Sequence, residues 1–216
     1  MRNAFFLAIA LAVATAGVAL ASGTPKEVGG EAAKGNTNPF WATQPAMRFQ
    51  CMWLQSELGQ AGPITKIELK FHSYIGTPPS TFEGYKVILC HSSKDKLTTN
   101  FKNNYDFKTP FTVFEGTLAI PGDLIQDDWF TICQPTSTFS YNNKNNMLME
   151  VVWTKATGSR NLFWVSTKDQ PGRVRAYNAT AETGVLLANE GEIARITISS
   201  PAVEPTSLGR VRALYR

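Results

Sequence analysis

The residues best suited to recognition chemistry lie between Glu150 and Tyr177. Glu150 falls on a strand face between Leu148 and Val152, where a carboxylate must find a cation, sit at the sheet margin or stay protonated. The run LFWVSTK sets Leu162, Trp164 and Ser166 on one face, and RVRAY sets Arg173, Arg175 and Tyr177 together. As one exposed patch, Glu150, Trp164, Arg173, Arg175 and Tyr177 offer a sugar ring an apolar surface to stack on and bidentate donors for its hydroxyls. A plainer reading pairs Glu150 with Arg173 or Arg175 on a nearby strand and makes Trp164 a core residue.

No catalytic residue is expected. Histidine occurs only at His72, on the polar side of a strand, and at His91, closing another, and both read as structural. G-x-S-x-G, H-E-x-x-H and a phosphate-cradling glycine loop are all missing from the sequence. The seventeen carboxylates could hold a glycosidase pair, but sequence does not give their separation in space. Asp123, Asp127 and Asp128 share a turn and offer oxygens to calcium without the D-x-[DN]-x-[DN]-G pattern. A solvated acidic turn is the default there, and no cofactor or metal is expected. Cys51, Cys90 and Cys133 each sit in a strand-like run without C-x-x-C spacing. One disulfide among the three or three buried thiols are equally consistent with that placement.

The elements that must position these residues are short strands. Asn145 to Tyr177 reads as three apolar runs separated by glycine-bearing turns, predicting a meander of three adjacent strands. Its first run is apolar on both faces, Met147, Met149, Val151 and Trp153 against Leu148 and Val152, which suits a central strand covered by a second layer. MRFQCMWLQ, ITKIELKFHS, GYKVILCHSS, FTVFEGTLAI, WFTICQP and EIARITISS are further strands, with GVLLANE an edge candidate. In the polar connection from Ser92 to Pro110, Leu97, Phe101 and Tyr105 recur at helical spacing, giving a short helix or a loop pinned by its aromatics. About ten strands with almost no helix predict an all-β, two-sheet antiparallel β-sandwich, jelly-roll-like, in preference to a barrel.

At the amino end, Arg2, an apolar run and Ala19-Leu20-Ala21 have the layout of a signal peptide over 1–21, favoured over a membrane anchor by its small residues and cleavage motif. Residues 22–39 have little to bury and read as a flexible lead; 40–199 form the sandwich domain. Residues 200–216 are a Pro-containing linker and a cationic tail, where a helix capped by Ser207 would gather Leu208, Val211, Leu214 and Tyr215 against Arg210, Arg212 and Arg216. That tail is either a self-assembly or attachment element or frayed chain. The net charge of +4 is scattered, which argues against nucleic acid. After signal removal no transmembrane segment is expected.

MWLQSELGQAGPITKIELKF, GYKVILCHSS, NMLMEVVWT and RVRAYNATAETG, in that order over roughly Met47 to Ser199, resemble an uncharacterised all-β domain of secreted and cell-surface bacterial proteins. SLGRVRALYR is similar to C-terminal tails of exported bacterial proteins. The resemblance implies a location outside the cytoplasm and brings no catalytic residues to carry over. The resulting expectation is a secreted or surface-held, non-enzymatic protein that binds a glycan or a cell-envelope protein, or serves as a surface-structure subunit. A carbohydrate-active hydrolase on the same scaffold is the alternative.

Overall fold

Strands form where apolar residues recur at every second position, and the chain turns at the Gly, Pro and Asn clusters between them. The computed structural model describes residues 23–200; the expected signal peptide and the tail residues Leu208, Arg210, Val211, Arg212, Leu214 and Tyr215 lie outside that range. The first half comprises β1 (Pro25–Val28), β2 (Lys34–Asn36), β3 (Met47–Trp53), the one-turn helix α1 (Gln55–Leu58), β4 (Gly62–Ile75) and β5 (Ser80–Ser92). A second one-turn helix, α2 (Phe101–Asn104), precedes β6 (Phe111–Ile120), β7 (Trp129–Cys133) and β8 (Ser140–Tyr141). The chain continues with β9 (Asn146–Trp153), β10 (Lys155–Thr157), β11 (Arg160–Ala176), β12 (Val185–Glu192) and β13 (Ala194–Ile198).

All thirteen strands belong to one antiparallel sheet with the order β1-β13-β4-β11-β3-β9-β5-β10. β2 and β12 join β11, β6 joins β5, and β7 and β8 join β4. Three strands, β4, β5 and β11, are much longer than the usual five or six residues because they change partners along their length. β4 pairs with β13 through Ile64–Leu69 and with β11 through Phe71–Ile75, and β11 pairs with β4 through Arg160–Phe163 and with β3 through Arg173–Ala176. A register shift at Leu162/Phe163 falls beside the exchange on β4, where a bulge re-aims the strand.

β9 lies between β3 and β5 and is buried along almost its whole length, as its two apolar faces predict. Met147, Met149, Val151 and Trp153 join the main core, with Phe49, Cys51 and Trp53 of β3, Ile67 and Leu69 of β4, and Ile196 and Ile198 of β13. On the other side Leu148 joins a smaller cluster with Met52, Cys90 and Val174, roofed by Leu97, Phe101 and Tyr105. Only the turn Phe101–Asn104 of that roof is helical; Asn100 caps it by accepting from the Asn103 N–H at 2.9 Å.

The structure departs from the sequence expectations in two places. The flexible lead contains β1, antiparallel to β13, and β2, antiparallel to β11, with Val28 and Asn38 buried. Edge pairing of this kind is carried by backbone hydrogen bonds and needs no apolar side chains, so composition is silent about it. The meander is absent as such: LFWVSTK and RVRAY are the two ends of β11, and β3 stands between β11 and β9. Of the two readings left open for the cysteines, the structure has the second: Cys51, Cys90 and Cys133 are all buried free thiols. Burial pushes the Cys90 thiol up to about 11 and that of Cys133 to about 12, so neither is a nucleophile near neutral pH.

Candidate functional site

The five residues expected to share an exposed patch are divided between the two faces of the sheet. Glu150 is paired in register with Gln50, on the side of the smaller cluster, whereas Arg173 is paired with Cys51, on the side of the main core. Glu150 is buried, and its cation is Arg48, not Arg173 or Arg175, because β3 separates β9 from β11. Arg48 Nε lies 3.2 Å from Glu150 Oε2. The same oxygen accepts from Gln50 Nε2 at 2.7 Å and from the Tyr105 hydroxyl at 2.8 Å. Burial, and then the adjacent Glu150 charge, raise the Tyr105 hydroxyl pKa, so it remains a donor.

Arg173 is wholly buried, with Nη1 donating to Glu192 Oε1 at 2.5 Å and Nη2 donating to Glu190. Lys34 of β2 holds Glu190 at 2.7 Å from the solvent side. Arg175 stacks over Tyr177 at 5.3 Å, and Tyr177 meets Trp41 edge-on at 5.4 Å. Trp164 is half-buried and stands edge-on to His72, ring centroids 4.4 Å apart. The approach is possible because Gly35, opposite Trp164 on β2, has no Cβ: one built there would lie 2.7 Å from the His72 ring. Trp164 therefore packs one edge against His72 and keeps part of its side chain exposed.

Both histidines are held by neighbours. His72 Nδ1 shares a hydrogen bond of 2.7 Å with Ser73 Oγ, and His91 Nε2 accepts from the Asn142 N–H at 3.1 Å while its ring packs on Phe139 and Tyr141. In the acidic turn Asp127 is 3.2 Å from the Lys70 ammonium, and Asp128 accepts from the Ile125 N–H at 2.9 Å. Among the described residues no group of three or more His, Cys, Asp or Glu is placed to hold a metal ion.

A recess of larger volume lies elsewhere, over α2. Leu97, Phe101 and Tyr105 turn inward onto the smaller cluster and Asn104 is buried against Gln50, which leaves Thr98, Lys102 and Asn103 exposed. They line a pocket of about 990 Å³ that contains the cationic side chains of Arg48, Lys94, Lys102 and Lys108 and the amides of Asn100 and Asn103. Tyr105 is part of its wall, Phe107 and Pro110 lie on the outer side, and Glu182 is the one carboxylate among the lining residues. Arg48 is fixed over the Phe101 ring at 4.7 Å and donates to the Ala181 carbonyl at 2.8 Å, so this wall of the pocket is rigid. Across the connection Asp106 accepts from the backbone and hydroxyl of Ser93, bonds that hold its carboxyl below the usual range.

Phe107 is the anomalous residue of this site. Its side chain is entirely exposed and its backbone is left-handed at φ 58°, directly after Asp106 at φ 53°. A bulky residue in that region is sterically disfavoured, and full exposure returns no packing energy to offset the cost. Sequence reasoning assigned Leu97, Phe101 and Tyr105 inward without drawing the corollary that Lys94, Lys102, Phe107 and Lys108 share the outer surface.

A second recess of about 470 Å³ lies between the loop Glu31–Ala33 and the β11 bulge at Ser166–Asp169, with both Glu31 and Asp169 in its lining. Comparison of the chain with protein-family models, curated proteins and solved structures finds no match. Among the described residues no helix is long and apolar enough to cross a membrane.

Proposed function

We propose that this chain is an exported, non-enzymatic protein built as a two-sheet, jelly-roll-like sandwich, and that it binds a glycan or another cell-surface component in the pocket over α2. The layered reading is supported by the main core, which unites side chains of β4, β7 and β13 with those of β3, β5 and β9. The observation that carries the binding reading is the Phe107 ring, fully exposed on a strained backbone at the rim of a recess lined by amide and ammonium donors. An aromatic face beside such donors is the arrangement that stacks on a sugar ring and holds its hydroxyls. Retention of the full chain on immobilised polysaccharides tests this. Phe107→Ala is expected to lower retention without lowering the melting temperature, and unchanged retention would remove the pocket from consideration.

Hydrolysis of a carbohydrate is the second reading, and the specific feature in its favour is the smaller recess, where Glu31 and Asp169 supply two carboxylates to one cavity. The pocket over α2, with Glu182 as its one lining carboxylate, favours binding. If the hydrolytic reading holds, the wild-type chain releases reducing ends from a polysaccharide panel, and Glu31→Gln or Asp169→Asn abolishes the release.

A further inference from the structure

We infer that the ligand of the pocket over α2 is an acidic glycan, one whose sugars carry carboxylate or sulfate groups; this deepens the binding reading above and rests on it. Four cationic side chains line the recess against one carboxylate. Lys94, Lys102 and Lys108 take part in none of the ion pairs among the described residues, while Lys34, Lys66, Lys70, Lys86 and Lys155 each have a carboxylate partner. The lining ammonium groups are thus uncommitted donors in a concave surface.

The charge excess is smaller than the cation count. Arg48 is already matched by Glu150, and Asp106 lies close enough to Lys94 and Lys108 to feel both. The arrangement therefore suits a ligand with a few anionic groups on a stackable ring better than a dense polyanion. Phe107 supplies the ring contact and Lys102 and Lys108, on either side of it in sequence, supply the anion contacts. Asn100 and Asn103, one turn apart at the start of α2, are placed for hydroxyls. A phosphodiester backbone offers charge without a sugar face of this kind free to stack, so nucleic acid is the competing polyanion the test must separate.

The experiment measures equilibrium binding of the full chain to polygalacturonate, dextran sulfate, neutral dextran and a random single-stranded oligonucleotide across a salt series. The variants are Lys102→Gln/Lys108→Gln, Phe107→Ala and a control at exposed lysines outside the pocket, Lys26→Gln/Lys144→Gln. The expected result is binding to at least one acidic polysaccharide about tenfold tighter than to dextran, weakened about tenfold by the pocket lysine pair and unaffected by the control pair. Loss of binding in Phe107→Ala at both low and high salt supports the stacking contact. Equal binding of dextran, with no effect of the lysine pair, overturns the acidic ligand and leaves glycan binding standing. Control lysines that matter as much as the pocket lysines, or an oligonucleotide that binds as tightly, overturn the inference in favour of general electrostatic attraction. Failure to bind any polysaccharide overturns both this inference and the reading beneath it.

Discussion

Arg173 and Glu192 are hydrogen-bonded at 2.5 Å with both side chains fully withdrawn from solvent. Glu190 reaches the same guanidinium from a partly solvated position, so one buried cation faces two carboxylates. The other oxygen of Glu192, Oε2, is buried without a partner. Burial raises the Glu192 carboxyl from 4.5 to about 7 in spite of Arg173, and a proton taken up there would lessen the cost of withdrawing this carboxyl from solvent.

This arrangement fixes the sign of a pH effect. A carboxyl whose folded pKa is raised contributes its stability in full below its unfolded value, and loses it as pH rises through about 7. Glu190, lowered by Lys34 and Arg173 against its own burial cost, acts in the opposite sense and loses its contribution as pH falls through its depressed pKa. Urea unfolding should therefore show the wild type losing stability between pH 5 and pH 8, by an amount on the order of 3 kcal/mol at most. Glu192→Gln should flatten that fall while staying within about 1 kcal/mol of wild type at pH 5. Parallel curves for the two proteins would contradict the assignment of the proton to Glu192.

The second buried charge is more exacting. Arg48→Met leaves Glu150 buried beside Gln50 and Tyr105 with no cation, and is expected to cost about 3–5 kcal/mol. Adding Glu150→Leu should restore part of the loss, because an apolar pair of similar volume replaces the stranded charge. A double-mutant cycle by chemical denaturation measures this coupling. Additive losses would mean that Arg48 acts through its stacking on Phe101 and not through Glu150.

Phe107 should be a site where stability and binding change in opposite directions. Phe107→Gly removes a side chain that buries nothing and places the residue best suited to φ 58° there. A gain of about 1 kcal/mol in unfolding free energy is expected, offset partly by the freer unfolded chain. Glycan retention should fall in the same variant. A stability loss would show that the ring has a packing role.

The thiols predict silence under native conditions. Cys51, Cys90 and Cys133 should not react with a thiol reagent in the folded protein, and all three should titrate after denaturation. The melting temperature should be the same with and without reductant. A drop on reduction would establish a disulfide among them.

Residues whose role follows from local periodicity were legible in the sequence. β9 shows this best: its two apolar faces, Met147 to Trp153 on one side and Leu148 on the other, predicted a central strand covered on both sides. The inward set Leu97, Phe101 and Tyr105 was readable from its spacing for the same reason. The partner of Glu150 was not, because it depends on β3 entering between β9 and β11, a non-local property of strand order. β1 and β2 were invisible because polar, glycine-bearing segments can complete a sheet edge through backbone bonds alone. The recess over α2 is legible only after the fold shows which side of that connection is covered.

The pairing of Pro25–Val28 with Ala194–Thr197 joins the opening and closing strands of the described chain. Such a closure has nearly the largest sequence separation available within the described residues, and its loop entropy is lost before the contacts that offset it are gained. A ribosome-bound chain halted before Ala194 thus has neither β13 nor its clasp on β1, leaving that flank of β4 unzipped and open to intermolecular pairing. Until β13 is made, that edge of β4 has no partner, so the sheet is closed there only after Ala194–Ile198 has been synthesised.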